Sequence, residues 1–240
     1  SHKTKNGFQI RAGIIPRSHR GAIIFEELGK ANREILKELT DIRTSGFATI
    51  TRVSGSTTLP AYVRMLTLTN PKLTGGVPTP ISSYPNGISV ITDLVGNAED
   101  IARYDMMGIL PGRGSKEIDP FFTPPVPFSQ ESYKAKIRWI WSRGPEQVLI
   151  SRDVYAYAVD LSNQANKVYN SYIKIFGTEA WLKLLRVSIA VAGYVCSTDE
   201  TFENIVVEKE HVEHAIKFII SLYDNSTFRL RQFVEAEQKF

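Results

Sequence analysis

The chain has 240 residues, 42% hydrophobic and 22% charged, with a formal net charge of +4 and an isoelectric point near 9.1. That much apolar material excludes general disorder and can bury a sizeable core, as one large domain or a core with an appendage. The mild basic excess permits nucleic-acid binding without demanding it.

From Ile14 to about Leu110, short strand-like runs alternate with one clear helix, an α/β pattern. Ala22-Ile23-Ile24-Phe25 is the kind of apolar run that forms a buried strand, and it ends in Glu26 and Glu27. Beyond Gly29, Ala31, Ile35, Leu39 and Ile42 recur at the spacing of an amphipathic helix. Residues 48–52 and 57–59 flank Val53-Ser54-Gly55-Ser56, which predicts a β-hairpin turned by glycine. Residues 62–69 predict a further strand closed by Asn70-Pro71, and a last short strand is expected over 106–110. Repeated prolines between Pro111 and Ser129 forbid helix and central strand, leaving an extended connection.

From Glu131 onward the periodicity is helical. Tyr133, Ile137, Trp139 and Trp141 read as packing residues of one helix, and Val154, Tyr155, Ala158, Leu161, Ala165 and Val168 trace a face of the next. Residues 181–195 are apolar nearly all round and predict the buried central helix of a bundle. Cys196, the one cysteine, excludes an intrachain disulfide, fits a reducing setting (cytoplasm, nucleoid or nucleus) and reads as a small buried hydrophobe. After the acidic loop 199–203, Val212, Ala215, Ile216, Ile219 and Tyr223 mark another helix. No apolar run is long enough to span a bilayer, so no membrane role is expected. The N-terminus lacks the apolar middle of a signal peptide, and the Ser-His start without an initiator Met reads as a processed or engineered end, as expected of a fragment.

Acids at the C-terminal end of a buried strand sit where open α/β sheets bind ligands. One carboxylate can hold Mg²⁺ through water while the next polarises a water for attack on a γ-phosphate. Taken alone, Glu26-Glu27 equally describes a strand running into a solvated turn. The longer strings GAIIFEELGKANREILKEL and SGFATITRVSGSTTLPAYVRMLTLTNP, however, resemble the segment of the minichromosome-maintenance (MCM) helicases, a family of AAA+ ATPases, that runs from the Walker B motif to the first sensor. DIARYDMMGIL is similar to that family's Ser-Arg-Phe-Asp segment, and LLRVSIAVAGYV and VVEKEHVEHAIKFI resemble its lid helices. The likeness covers roughly residues 7–224.

The resemblance implies an α/β fold: a partial AAA+ core over residues 1–112, a Pro/Gly-rich connection over 113–130 and an all-α lid over 131–240. It implies Glu27 as the catalytic base or water-orienting acid, and Glu26, where the family has aspartate, as a water-mediated Mg²⁺ ligand. Asn70 would be the first sensor and Arg103 an arginine finger acting on a neighbouring subunit's nucleotide, although Asp100 and Asp105 beside Arg103 can pair with it instead. Arg52, near the hairpin tip, would face DNA, with Thr49, Thr51 and Ser54 adding neutral phosphate contacts. ATP and Mg²⁺ would be the cofactors of the complete protein. Its partners would be sequence-independent single-stranded or duplex DNA and further copies or paralogues in an oligomeric ring.

Two departures qualify this reading. The chain contains no G-x-x-x-x-G-K-[ST] to cradle phosphates; Gly112-Arg113-Gly114-Ser115-Lys116 has the composition but the wrong spacing and place. The second-sensor arginine position falls near Glu179, an acid. Two other readings therefore stand beside the helicase: an inactive ATPase-derived DNA-binding or scaffold module, and a MoxR-like or magnesium-chelatase-like remodelling ATPase. His211 and His214, three apart on a helix, lack a third metal ligand.

Overall fold

The apolar run at Ala22 does form a strand, but one buried on a single side: Ile23 is buried while Ile24 is 61% exposed. The computed structural model describes residues 2–4, 7–9, 12–27, 31, 33–52, 55–70, 73–74, 77–80, 83–95, 98–109 and 128–239. They fall into two units, Ser1–Asn70 and Pro71–Phe240. Together they make a mixed α/β protein.

The first unit contains the antiparallel pair β1 (His2–Thr4) and β2 (Gly7–Gln9), the single turn α1 (Ile14–Arg17), β3 (Ala22–Glu26), α2 (Arg33–Ser45), β4 (Phe47–Arg52), β5 (Gly55–Pro60) and β6 (Arg64–Leu68). Strands β3 and β6 pair in parallel, Ile24 opposite Leu66 and Glu26 opposite Leu68. Parallel pairing needs a long crossover, and α2 with the β4–β5 hairpin supplies it. Gly46 stops α2: at φ 74° its N–H reaches the Ile42 carbonyl at 2.8 Å, a left-handed helix end that glycine adopts freely. The turn lets Ile42 of α2 bury against Ala48 of β4 and Ala61, forming a small core. Hairpin β4–β5 alternates as its period of two requires: Ala48, Ile50 and Leu59 lie inward or half-buried, and Thr49, Thr51, Ser56 and Thr58 face solvent. Gly55 takes φ 130° as the first paired residue of β5, opposite Arg52, and the two residues joining the strands, 53 and 54, lie outside the described residues.

The second unit begins with the antiparallel pair β7 (Leu73–Thr74) and β8 (Val77–Pro78). Then follow α3 (Ser89–Val95), α4 (Ala98–Ala102), α5 (Gln130–Ser142), β9 (Val148–Ile150), α6 (Arg152–Val168), α7 (Ala180–Tyr194), β10 (Ile205–Val207), α8 (Lys209–Tyr223) and α9 (Leu230–Glu237). Ser129 and Ser151 cap α5 and α6, each accepting an N–H from three residues on. Helix α7 is central, as its all-round apolarity predicts: it buries Leu184, Leu185, Val187 and Ala192 and packs on α6, α8 and β10.

Several expectations are corrected. The helical half is not all-α, because β9 and β10 form a parallel pair, Val148 opposite Ile205. The compact units meet at Asn70–Pro71, and Ile88, Ile91 and Ile101 bury in one core with Leu184, Val212 and Tyr223. Residues 106–109 form no strand; the Met107 N–H is taken by the Tyr223 hydroxyl at 2.8 Å. Cys196 is exposed, in left-handed backbone just past α7, rather than buried. Trp141 and Ile137 also face outward, 39% and 43% exposed, and α5 has no buried residue. The expected connection, including the glycines at 112 and 114, lies outside the described residues apart from its end at 128–130. Among the described residues no helix is long and apolar enough to cross a membrane.

Candidate functional site

Because β3 and β6 run parallel in register, their C-terminal ends share one edge of the sheet, with neighbouring strands about 4.8 Å apart. Glu26 is the last paired residue of β3, Glu27 follows it, and Asn70 lies two residues beyond Leu68; all three are exposed. The Glu27 N–H donates to the Leu68 carbonyl at 2.7 Å, so the ladder holds one residue past the last pair. Glu27 does this at φ 55°, in the left-handed region that costs a non-glycine residue about 1–2 kcal/mol. The structure thus gathers Glu26, Glu27 and Asn70, residues 44 positions apart at the extremes, at one strand edge. The opposite end of the pair is pinned by Arg20 donating its N–H to the Tyr62 carbonyl at 2.7 Å and Arg64 Nη1 donating to the Arg20 carbonyl at 2.9 Å.

Arg52 is the last paired residue of β4, opposite Gly55. The hairpin's solvent face carries hydroxyls in cross-strand pairs, Thr49 with Thr58 and Thr51 with Ser56, each with Oγ atoms 3.3 Å apart. Ser54 lies outside the described residues. The unit holding this hairpin and the acidic edge is strongly basic, with eleven Lys/Arg against five Asp/Glu in residues 1–70; residues 71–240 hold eighteen against twenty.

Arg103 belongs to the other unit, just past α4, where its Nη1 donates to Asp100 Oδ1 at 3.3 Å. Asp105 pairs with Arg186 instead, at 3.3 Å. Glu179 stands immediately before α7, where a carboxylate complements the positive end of the helix dipole. His211 Nδ1 accepts the Glu208 N–H at 3.0 Å, so this histidine caps α8, and His214 is exposed. Among the described residues no group of three or more His, Cys, Asp or Glu side chains could hold a metal; a hydrated Mg²⁺ asks for only one or two carboxylates.

Sequence reasoning passed over Lys183. It is buried in α7 at 4% exposure, and its ammonium donates to the Ile175 carbonyl at 2.8 Å. Burial pulls its pKa down to about 8; the nearby Asp105 carboxylate opposes the drop and the Arg186 guanidinium adds to it. Its signal was a lone lysine inside the apolar stretch WLKLLRVSIAV.

No protein-family model and no curated protein matches the chain.

Proposed function

We propose that the chain is the C-terminal portion of an MCM-like AAA+ ATPase, a ring-forming motor that couples ATP hydrolysis to movement along DNA. The observation that carries this reading is the parallel β3–β6 pairing, which puts Glu26, Glu27 and Asn70 at one strand edge with a helix and a hairpin in the crossover. Two carboxylates and a carboxamide are hard oxygen donors, a set that fits a hydrated Mg²⁺ on a phosphate chain. When bound, Mg²⁺ neutralises charge on the phosphate oxygens. In this reading Glu26 would hold the ion through water, the Glu27 carboxylate would orient the attacking water and take its proton, and the Asn70 amide would fix that water or a terminal phosphate oxygen. Arg52 and the hairpin hydroxyls meet DNA phosphates, with the basic balance of the unit favouring a polyanion.

The phosphate-cradling loop is absent from these 240 residues, and this favours a second reading, an inactive ATPase-derived DNA-binding or scaffold module. One experiment separates the two: single-strand-stimulated ATP hydrolysis by the product of the natural gene, beside its Glu27→Gln variant. Turnover that DNA accelerates and the variant abolishes is the expected result. No hydrolysis by the wild type would overturn the motor and leave the scaffold.

A further inference from the structure

We propose that the loop of residues 199–204 docks on the α1 turn of a second copy of the chain, Phe202 packing on Ile14 while Glu200 and Glu203 meet Arg17 and Arg20. Phe202 is 72% exposed, more than any other large hydrophobic side chain among the described residues. It stands at φ 60°, in left-handed backbone that costs a bulky residue about 1–2 kcal/mol. A strained and solvated aromatic residue persists where the structure around it is over-determined.

The loop is such a structure, a short hairpin between α7 and β10. Its base is closed by Val206 donating its N–H to the Ser197 carbonyl at 3.0 Å and by the Ser197 hydroxyl donating to the Val206 carbonyl at 2.8 Å. Asp199 fastens the tip. Its carboxylate accepts from the Thr201 hydroxyl at 2.9 Å and the Asn204 amide at 2.7 Å, and its carbonyl takes the Phe202 N–H at 3.2 Å. From outside the loop, Arg143 Nη1 and Gln147 Nε2 both donate to the Glu203 carbonyl, at 2.7 Å and 3.2 Å. The ring is held out by a fixed backbone, so little ordering entropy is lost when it binds.

Charge selects the occupant. Residues 197–208 hold four acids and no cation, whereas residues 1–25 hold five Lys/Arg and no acid. Within that basic stretch α1 buries none of its residues, and Ile14 is 63% exposed with Arg17 three residues on along the same face. Arg20 follows at φ 62°, its N–H held by the Tyr62 carbonyl at 2.7 Å and its own carbonyl by Arg64 Nη1 at 2.9 Å. Each surface therefore sets one exposed apolar side chain beside two like charges, and the two signs are opposite. Among the described residues, Glu200, Glu203, Arg17 and Arg20 have no ion-pair partner within their own chain. Loop and turn are different surfaces, so the contact is heterologous and each copy offers one to the next, which builds a ring or a filament. It gives the proposed ring a boundary contact but needs neither nucleotide nor DNA.

The test is sedimentation equilibrium of the 240-residue chain, free of nucleic acid, at about 5 to 200 µM in 50 and 300 mM KCl. Association that grows with concentration and weakens at the higher salt is expected. Phe202→Asn, a residue type that tolerates left-handed backbone, should weaken it about tenfold, and Phe202→Tyr should stay within about twofold. E200K/E203K and R17E/R20E should each be monomeric alone, because like charges then face each other across the contact. Mixed in equal amounts they should associate again, since every loop then finds a turn of opposite charge. Recovery on mixing would also show that both variants are folded. A wild-type chain that stays monomeric would overturn the proposal. So would reversed variants that associate like wild type, or that fail to associate when mixed. Failure of ATP turnover in the complete protein would leave it standing.

Discussion

Glu27 and Leu68 are joined by a backbone hydrogen bond of 2.7 Å that lies one residue beyond the last paired position of β3, and Glu27 makes it in left-handed backbone at φ 55°. The bond aligns the ends of two parallel strands, and the strained backbone redirects the chain at the second of two adjacent acids. Left-handed backbone at a non-glycine residue persists where the surrounding structure holds it, commonly at functional sites.

Replacing Glu27 separates these two roles. Glycine pays little for left-handed backbone, so Glu27→Gly should raise the unfolding free energy by about 1 kcal/mol. Glu27→Gln keeps shape and should change it by less than about 0.5 kcal/mol while abolishing any ATP turnover of the complete protein. Urea midpoints check the first pair of values. A Gly variant less stable than wild type would mean that the carboxylate, not the backbone, dominates at this position.

Gly46 is the hinge that turns α2 into β4. It sits at φ 74°, and a Cβ there would overlap the Tyr62 ring. That ring is 55% exposed and can swing aside, so backbone strain decides the cost. Gly46→Ala should destabilise the first unit by about 1–2 kcal/mol. Hydrogen exchange at the β4–β5 amides would show it as faster opening, and unchanged protection would refute it.

What could be read ahead of the structure follows from periodicity. Strand β3, helix α2 with Leu39 and Ile42 buried, the β4–β5 hairpin, and α6 to α8 all carry their period in long enough runs to be seen. Helices α3 and α4 were hidden because seven and five residues amid Pro and Gly show too little period. Strands β9 and β10, three residues each, pair with each other 57 positions apart in the chain, and Ile205 also bridges Thr198, so neither shows a period of its own. The strand expected over 106–110 does not form over its described part, 106–109, because a distant side chain, Tyr223, claims the Met107 donor, and nothing local announces that. The acidic pair and Asn70 were legible as candidates, whereas their shared edge depended on the parallel register.

Lys183 sets a pH dependence whose sign can be worked out. Its folded pKa, about 8, lies below the unfolded value of 10.5. Between these values the unfolded chain binds more protons, so stability rises with pH through this window and is flat below it. The rise from pH 7.5 to 9.5 should be on the order of 2 kcal/mol. Tyr223, whose hydroxyl burial pushes above the ordinary tyrosine value, acts oppositely but only above about pH 10, where its unfolded form ionises. Lys183→Met should remove the rise. Denaturant midpoints at pH 7.5, 8.5 and 9.5 decide it, and a variant with the wild-type slope would show that another group titrates.

Arg103 offers the sharpest test of assembly. In the structure it pairs with Asp100 at 3.3 Å on a partly exposed surface, a contact worth at most about 1 kcal/mol and easily exchanged for a phosphate. If Arg103 serves a neighbouring subunit's site, Arg103→Ala and Glu27→Gln are defects in different halves of one shared site. Each variant of the complete protein should then be inactive alone, and mixing them should restore DNA-stimulated ATP hydrolysis, because an Arg103→Ala subunit brings an intact Glu27 to the intact Arg103 of a Glu27→Gln neighbour. Recovery would require a ring or at least a dimer with the site at its boundary. If the mixture stays inactive while the wild type turns over, Arg103 is a surface cation held by Asp100 and the trans-acting role is lost.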